Sequence, residues 1–127
     1  MKVMLDTSVL IDVLRRRNRR RETLLELAEA NNWLATSTLN IAELYAGMRV
    51  GEEHSTEALL SGLECLDLTK SSARLAGKIK NHWSKRGRTL TLADAMIASI
   101  AIEGGYALLT DNTKDFPMPE LQLYKPR

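Results

Sequence analysis

Only one cysteine, Cys65, and two histidines, His54 and His82, occur in 127 residues. A lone cysteine excludes a disulfide framework within the chain, and the absence of a thiolate cluster argues against a zinc site. Cys65 lies in Leu63-Glu64-Cys65-Leu66, where the choice is between a catalytic thiol and a small core hydrophobe; the flanking leucines favour the second. Both histidines fall in polar helical stretches without a partner at ligand spacing, so both are expected at the surface. No apolar run approaches the roughly 18–20 residues that span a bilayer. The opening Met1-Lys2-Val3-Met4-Leu5-Asp6 meets charge too early for a signal peptide. A soluble cytoplasmic protein is the expectation. Internal repeats, low-complexity tracts and Pro/Gly/Ser linkers are also missing, so one undivided domain over residues 1–127 is expected.

What is present is enough apolar material for a core, 44% of residues, and a net charge of only +2. That charge is unevenly placed. Six of the 18 cationic residues fall in Arg15-Arg16-Arg17-Asn18-Arg19-Arg20-Arg21, and without them 12 cationic residues would face 16 anionic ones. The run reads either as a solvated corner between helices or as a phosphate-tracking patch, because guanidinium forks pair with phosphate oxygens and release counterions.

Short apolar runs alternate with helical periodicity. Val3-Met4-Leu5 reads as a buried strand, Thr7-Ser8 as a cap, and Val9 to Arg15 as a helix. A second helix is expected over Arg20 to Asn31, with Leu24, Leu25, Leu27 and Ala28 on its apolar side. Trp33 to Thr36 is a strand, and Ser37 or Thr38 caps a helix running to about Val50. Further helices are expected over Glu52 to Leu63, Ser71 to Lys85 and Thr91 to Glu103, the last stopped by Gly104-Gly105. Cys65 to Leu68 and Tyr106 to Leu109 read as strands, with Leu121 to Tyr124 as a candidate fifth. Strands separated by helices imply right-handed βαβ crossovers and an α/β fold with a parallel sheet covered on both faces. In such sheets active sites form beyond the carboxyl ends of the strands.

Acidic residues recur at that end. Asp6 follows the first strand directly; the ordinary role there is a helix cap or Asx-turn. Glu43 lies in the helix that begins after the second strand, where it is placed to point back over the sheet end or to remain an exposed residue near a helix N-terminus. Asp94 is the one charge before Glu103 in Leu92-Ala93-Asp94-Ala95-Met96-Ile97-Ala98-Ser99-Ile100-Ala101-Ile102, a segment apolar nearly all round. A capping role with Thr91 competes with a site role, but a carboxylate at the mouth of a buried helix is expensive without a partner. After the last strand, Thr110-Asp111-Asn112-Thr113-Lys114-Asp115 offers Asp115, Asn112 and Asp111 as oxygen donors, with turn formation as the alternative.

Four distant segments thus deliver carboxylates to one end of the expected sheet. Two carboxylates about 4 Å apart repel by roughly 4 kcal/mol at an effective dielectric near 20. Such a cluster protonates or takes up a cation, and oxygen-only ligands select Mg²⁺ or Mn²⁺ over zinc. A divalent ion that keeps its waters serves phosphodiester hydrolysis.

Met4-Leu5-Asp6-Thr7-Ser8, Ser37 through Gly47, Leu92 through Ala98 and Leu108 through Phe116 together resemble PIN-domain nucleases, and within them the VapC-type toxins of bacterial toxin–antitoxin pairs. The resemblance runs in order over nearly the whole chain. It implies a three-layer α/β/α fold with four to five parallel strands and a Mg²⁺-dependent endoribonuclease acting on tRNA, rRNA or mRNA. It also implies that Asp6, Glu43 and Asp94 hold the metal, that Thr7 and Thr110 orient ligands or phosphate, and that the fourth acidic position is open. Some members carry Asp where Asn112 stands; Asp115 is the expected substitute, with Asn112 hydrogen-bonding. The implied partners are RNA, an antitoxin lying along a helical groove, and a second copy in a homodimer. The apolar side of Arg20 to Asn31 is a candidate contact surface, although core packing is the expected role of its leucines.

Two other functions fit parts of this pattern. A receiver-like signalling domain would also hold Mg²⁺ beside an aspartate, but no second acid adjoins Asp6, and Thr110-Asp111 stands where a lysine is expected. A catalytically silent module that binds RNA or protein would keep the fold, yet it has no need of every acidic position.

Overall fold

The computed structural model describes residues 1–126. Four strands, β1 (Lys2–Leu5), β2 (Trp33–Ser37), β3 (Glu64–Leu66) and β4 (Ala107–Leu109), form one sheet in the order β3-β2-β1-β4. All pairings are parallel, with Met4 opposite Ala35 in β2 and Leu108 in β4. The expected fifth strand is reduced to a single parallel bridge between Leu123 and Leu108, held by the Leu108 amide to the Gln122 carbonyl at 2.9 Å. Met118 and Leu121 bury their side chains in the core, but two prolines, Pro117 and Pro119, interrupt the approach and limit ladder pairing.

Alternation along the strands divides the core between two faces. Met4, Ala35 and Leu108 face one cluster with Ala76 and Ile79 of α5 (Lys70–Ser84) and Ala95, Ile97, Ala98 and Ile100 of α6 (Leu92–Gly104). Val3, Leu5 and Leu109 face the other, with Val9 and Leu10 of α1 (Thr7–Leu14), Leu27 of α2 (Arg20–Glu29) and Leu44 of α3 (Thr38–Ala46). Leu59 and Leu60 of α4 (Glu53–Ser61) pack against that second cluster. The result is a three-layer α/β/α arrangement. Residues 97–101 of α6 are all buried, as the unbroken apolar pattern requires, and each fully buried Ile contributes about 1.5–3 kcal/mol. Gly105 ends α6 at φ 72°, the left-handed conformation that glycine adopts without a Cβ penalty.

Cys65 does not join the core. β3 is the outer strand of the sheet, and Cys65 is exposed while Leu63 and Leu66 turn inward to opposite clusters. An edge strand three residues long lacks a neighbour to cover its middle side chain, so flanking leucines do not guarantee burial of the residue between them. Partial burial, then Asp67, push the thiol above its usual range, so no activated thiolate is present. His54 and His82 are exposed, as expected.

The leucines of α2 are also divided. Leu27 is buried, but Leu25 is 62% exposed. With Leu14, Leu24, Ala28, Leu59 and Leu63 it lines an open, mostly apolar groove of about 560 Å³ between α1–α2 and α4.

Candidate active site

The strand order places β1 between β2 and β4, so the chain turns one way from β1 to β2 and β3 and returns on the other side as β4. Parallel sheets open a crevice at such a reversal, beyond the carboxyl ends of the strands. Asp6 and Thr110 lie there, one residue past β1 and one past β4, and the Asp6 amide donates to the Leu109 carbonyl at 3.0 Å.

Asp6 occupies the N-cap position of α1 yet makes no side-chain cap bond. Its carboxylate turns instead to the crevice. Oδ2 accepts from the Thr110 hydroxyl at 2.6 Å and Oδ1 from Asn40 Nδ2 at 3.0 Å. Asn40 is fully buried, and its amide oxygen Oδ1 accepts from the Ser37 backbone N–H to complete a capping box at the start of α3. The same Nδ2 donates to Thr7 Oγ1 at 3.0 Å, and the Thr7 hydroxyl donates to Glu43 Oε1 at 2.6 Å. A continuous polar chain therefore runs from Ser37 through Asn40 to Asp6, Thr7 and Glu43. Asn40 organises the crevice, a role the residue-by-residue reading missed. The available signal was the Ser37-x-x-Asn40 spacing, which marks a reciprocal cap but not the reach of its amide across to β1.

Asp94 lies one turn into α6, whose Thr91 cap accepts from the Asp94 amide at 3.0 Å. Burial raises the affinity of its carboxyl for a proton. A hydrogen bond with Thr91 opposes that shift, while Asp115, Asp6 and Glu43, in that order, add to it. Carboxylates from three other segments therefore lie near enough to act on Asp94. None of the four forms an ion pair among the described residues. Asp115 ends a 3₁₀ turn (Thr113–Asp115) after β4. Asn112 is exposed and its amide donates to Thr110 Oγ1 at 3.0 Å. Asp111, by contrast, pairs with Arg20.

Among the described residues, no three His, Cys, Asp or Glu side chains close into a metal cage. Mg²⁺ does not require such a cage, since it keeps several waters and is usually held by one or two carboxylates together with substrate phosphate. The donors are all oxygen, and none of the four carboxylates is neutralised by an ion pair among the described residues. A hard divalent cation fits this set.

The basic run lies at the corner between α1 and α2. Arg15 pairs with Glu52 at 3.3 Å and Arg19 with Glu22 at 2.6 Å. Arg20, its side chain 12% exposed, bridges Asp12 (3.4 Å) and Asp111, and Arg21 Nε donates to the Val13 carbonyl at 3.0 Å. Arg16 and Arg17 are exposed and take part in no ion pair among the described residues.

The PIN domain model matches residues 3–118. The chain belongs to the PIN domain family. This PIN domain is 33% identical over 120 residues to the ribonuclease VapC19 of Mycobacterium tuberculosis, covering 94% of this chain and 96% of that protein. Among solved structures it resembles VapBC2 from Rickettsia felis bound to a DNA fragment from their promoter, with TM-score 0.85, 29% identity and 98% of each chain covered. A toxin–antitoxin complex from Klebsiella pneumoniae is similar at TM-score 0.78 and 26% identity, again over 98% of each chain. The expected family and three-layer fold are both borne out. No helix among the described residues is long and apolar enough to cross a membrane.

Proposed function

We propose that this PIN domain is a Mg²⁺- or Mn²⁺-dependent endoribonuclease and the toxin of a toxin–antitoxin pair. The observation that carries the reading is that Asp6, held at the β1–β4 crevice by Thr110 and Asn40, lies with Glu43 and Asp115 near enough to act on Asp94, and that none of the four has an ion-pair partner among the described residues. Asp6, Glu43 and Asp94 are the residues suited to hold the metal. Asp115 serves as the fourth acid in preference to Asp111, whose charge Arg20 already occupies.

Hydrolysis forms one phosphorus–oxygen bond from water and breaks another to a ribose oxygen. Mg²⁺, when bound, supplies Lewis acidity to the phosphoryl group and makes water a better nucleophile. The protein's own part is positioning. Asn40 and Thr110 fix both oxygens of Asp6, and Thr7 fixes one oxygen of Glu43, so these donors are oriented before substrate arrives. Thr7 and Thr110 orient the carboxylates and through them the phosphate, and the exposed Asn112 is the uncharged group free to meet it at the mouth of the crevice.

The groove between α1–α2 and α4 supports an antitoxin partner, since an open apolar trough suits the apolar face of a docked helix. A homodimer, extended to a hetero-oligomer with antitoxin, completes the reading, and a cytoplasmic location accords with it.

The test is cleavage of total cellular RNA by the purified protein, followed by sequencing of the new ends. Cleavage with Mg²⁺ or Mn²⁺, its loss in EDTA, and its loss in folded Asp6→Asn and Asp94→Asn variants are expected. Undiminished cutting by either variant overturns the assignment.

A further inference from the structure

The conspicuous basic run is largely committed. Arg15, Arg19 and Arg20 sit in ion pairs and Arg21 holds a backbone carbonyl, which leaves Arg16 and Arg17 as its free guanidiniums. A second, less conspicuous group of cations lies beside the acids. After α5 the chain runs Lys85-Arg86-Gly87-Arg88-Thr89-Leu90 into the Thr91 cap and Asp94. Lys80 anchors this loop by donating to the Leu90 carbonyl at 2.6 Å. The Arg88 guanidinium crosses to the carbonyl of Lys114, one residue before Asp115. It therefore spans the two segments that carry Asp94 and Asp115, whose carboxylates act on each other.

Arg88 spends one of its five N–H groups on that carbonyl. Arg88, Lys114 and Lys85 are exposed and form no ion pair among the described residues, although acidic groups lie close by. RNA entering the crevice must carry phosphates on either side of the scissile one past four carboxylates. One divalent ion offsets only part of that negative charge. Fixed cations at the rim supply the remainder, and a guanidinium already aligned by a carbonyl presents its remaining fork to phosphate oxygens with little further ordering.

We propose that Arg88 and Lys114 form the phosphate track that seats RNA beside the carboxylates. This rests on the ribonuclease reading and assigns substrate binding to the α5–α6 loop and the turn after β4 rather than to the arginine run.

The experiment measures binding of fluorescein-labelled unfractionated tRNA in EDTA across a salt series, in an Asp6→Asn background that prevents cleavage. Arg88→Gln combined with Lys114→Gln should weaken binding at least tenfold and flatten the plot of log affinity against log salt by about 0.7–0.9 per lost contact. Arg88→Lys, which keeps the charge, should retain most of the slope; a role confined to tethering the loop does not depend on salt. Arg16→Gln with Arg17→Gln should leave affinity and slope nearly unchanged. Should Arg88→Gln lower the melting temperature, Lys114→Gln alone carries the test, because the Lys114 side chain makes no ion pair among the described residues. An unaltered slope in the Arg88 and Lys114 variants, or a larger loss in the Arg16 and Arg17 pair, overturns the track. If those variants bind normally while the unmutated protein cuts RNA, the track fails alone; if the unmutated protein neither binds nor cuts RNA, the ribonuclease reading fails with it.

Discussion

The hydroxyl of Thr110 donates to Oδ2 of Asp6 at 2.6 Å, joining the end of β4 to the end of β1 across a sequence separation of 104. Asp6 is only 6% exposed, so water cannot readily replace this donor. Thr110→Val keeps the shape and removes the hydroxyl, at a cost of about 1–3 kcal/mol for an unsatisfied buried acceptor. RNA cleavage should fall roughly 10- to 100-fold, since 1.4 kcal/mol corresponds to a factor of ten. Thr110→Ser should restore most of it, and steady-state cleavage of one labelled RNA by the three proteins decides the matter.

Asn40 makes a sharper test of the same frame. Asn40→Asp is nearly isosteric but turns the donor facing Asp6 and Thr7 into a second carboxylate in a fully buried position. Stability in EDTA should drop by about 2–4 kcal/mol. Urea denaturation measures this. Added Mg²⁺ should recover part of the loss, and an unchanged midpoint would show that the amide contributes nothing.

Asp94 gives a pH dependence whose sign is fixed. Burial first, and then its acidic neighbours, raise its folded-state proton affinity above that of the unfolded chain. The resulting penalty is absent below the unfolded value and develops as pH rises through the folded one. In EDTA, Asp94→Asn should therefore melt at a higher temperature than the unmutated protein at pH 7–8, and the difference should shrink as pH is lowered towards 4. Mg²⁺ should raise the melting temperature of the unmutated protein more than that of the variant. Melting curves over that pH range would refute this by showing a constant offset.

Much of this was legible in the sequence because it follows from local pattern. Strand ends locate Asp6, and a single charge in an apolar helix marks Asp94. The partners of those residues were not legible. Asn40 pairs with its own cap three residues away and with Asp6 34 residues away, and only the first is a local spacing. The arginine run shows the same limit: charge is visible in a sequence, but its neutralisation by Glu52 and Asp111, 37 and 91 residues distant, is not. Cys65 was misjudged because burial on an edge strand depends on what covers it, not on the flanking leucines.

The corner carrying that run holds Arg16, Asn18 and Arg19 at φ between 53° and 56°, a left-handed conformation costing roughly 1–2 kcal/mol each for residues with a Cβ. Asp12 offsets this strain by accepting from Asn18 at 2.9 Å and from Arg20 at 3.4 Å. Arg20→Met leaves Asp12, itself 7% exposed, without its cation. A loss of about 3 kcal/mol is expected, measurable by urea denaturation and in line with breaking other nearly buried pairs. A change below about 0.5 kcal/mol, the size usual for a surface substitution, would assign the corner's order to other contacts.

Because the crevice lies between β1 and β4, its two walls are made at different times: Thr110 leaves the ribosome 104 residues after Asp6. A ribosome that stalls or terminates before β4 releases a fragment lacking one wall of the crevice. The adjacency of β1 and β4 thus withholds the assembled centre until both strands have been synthesised.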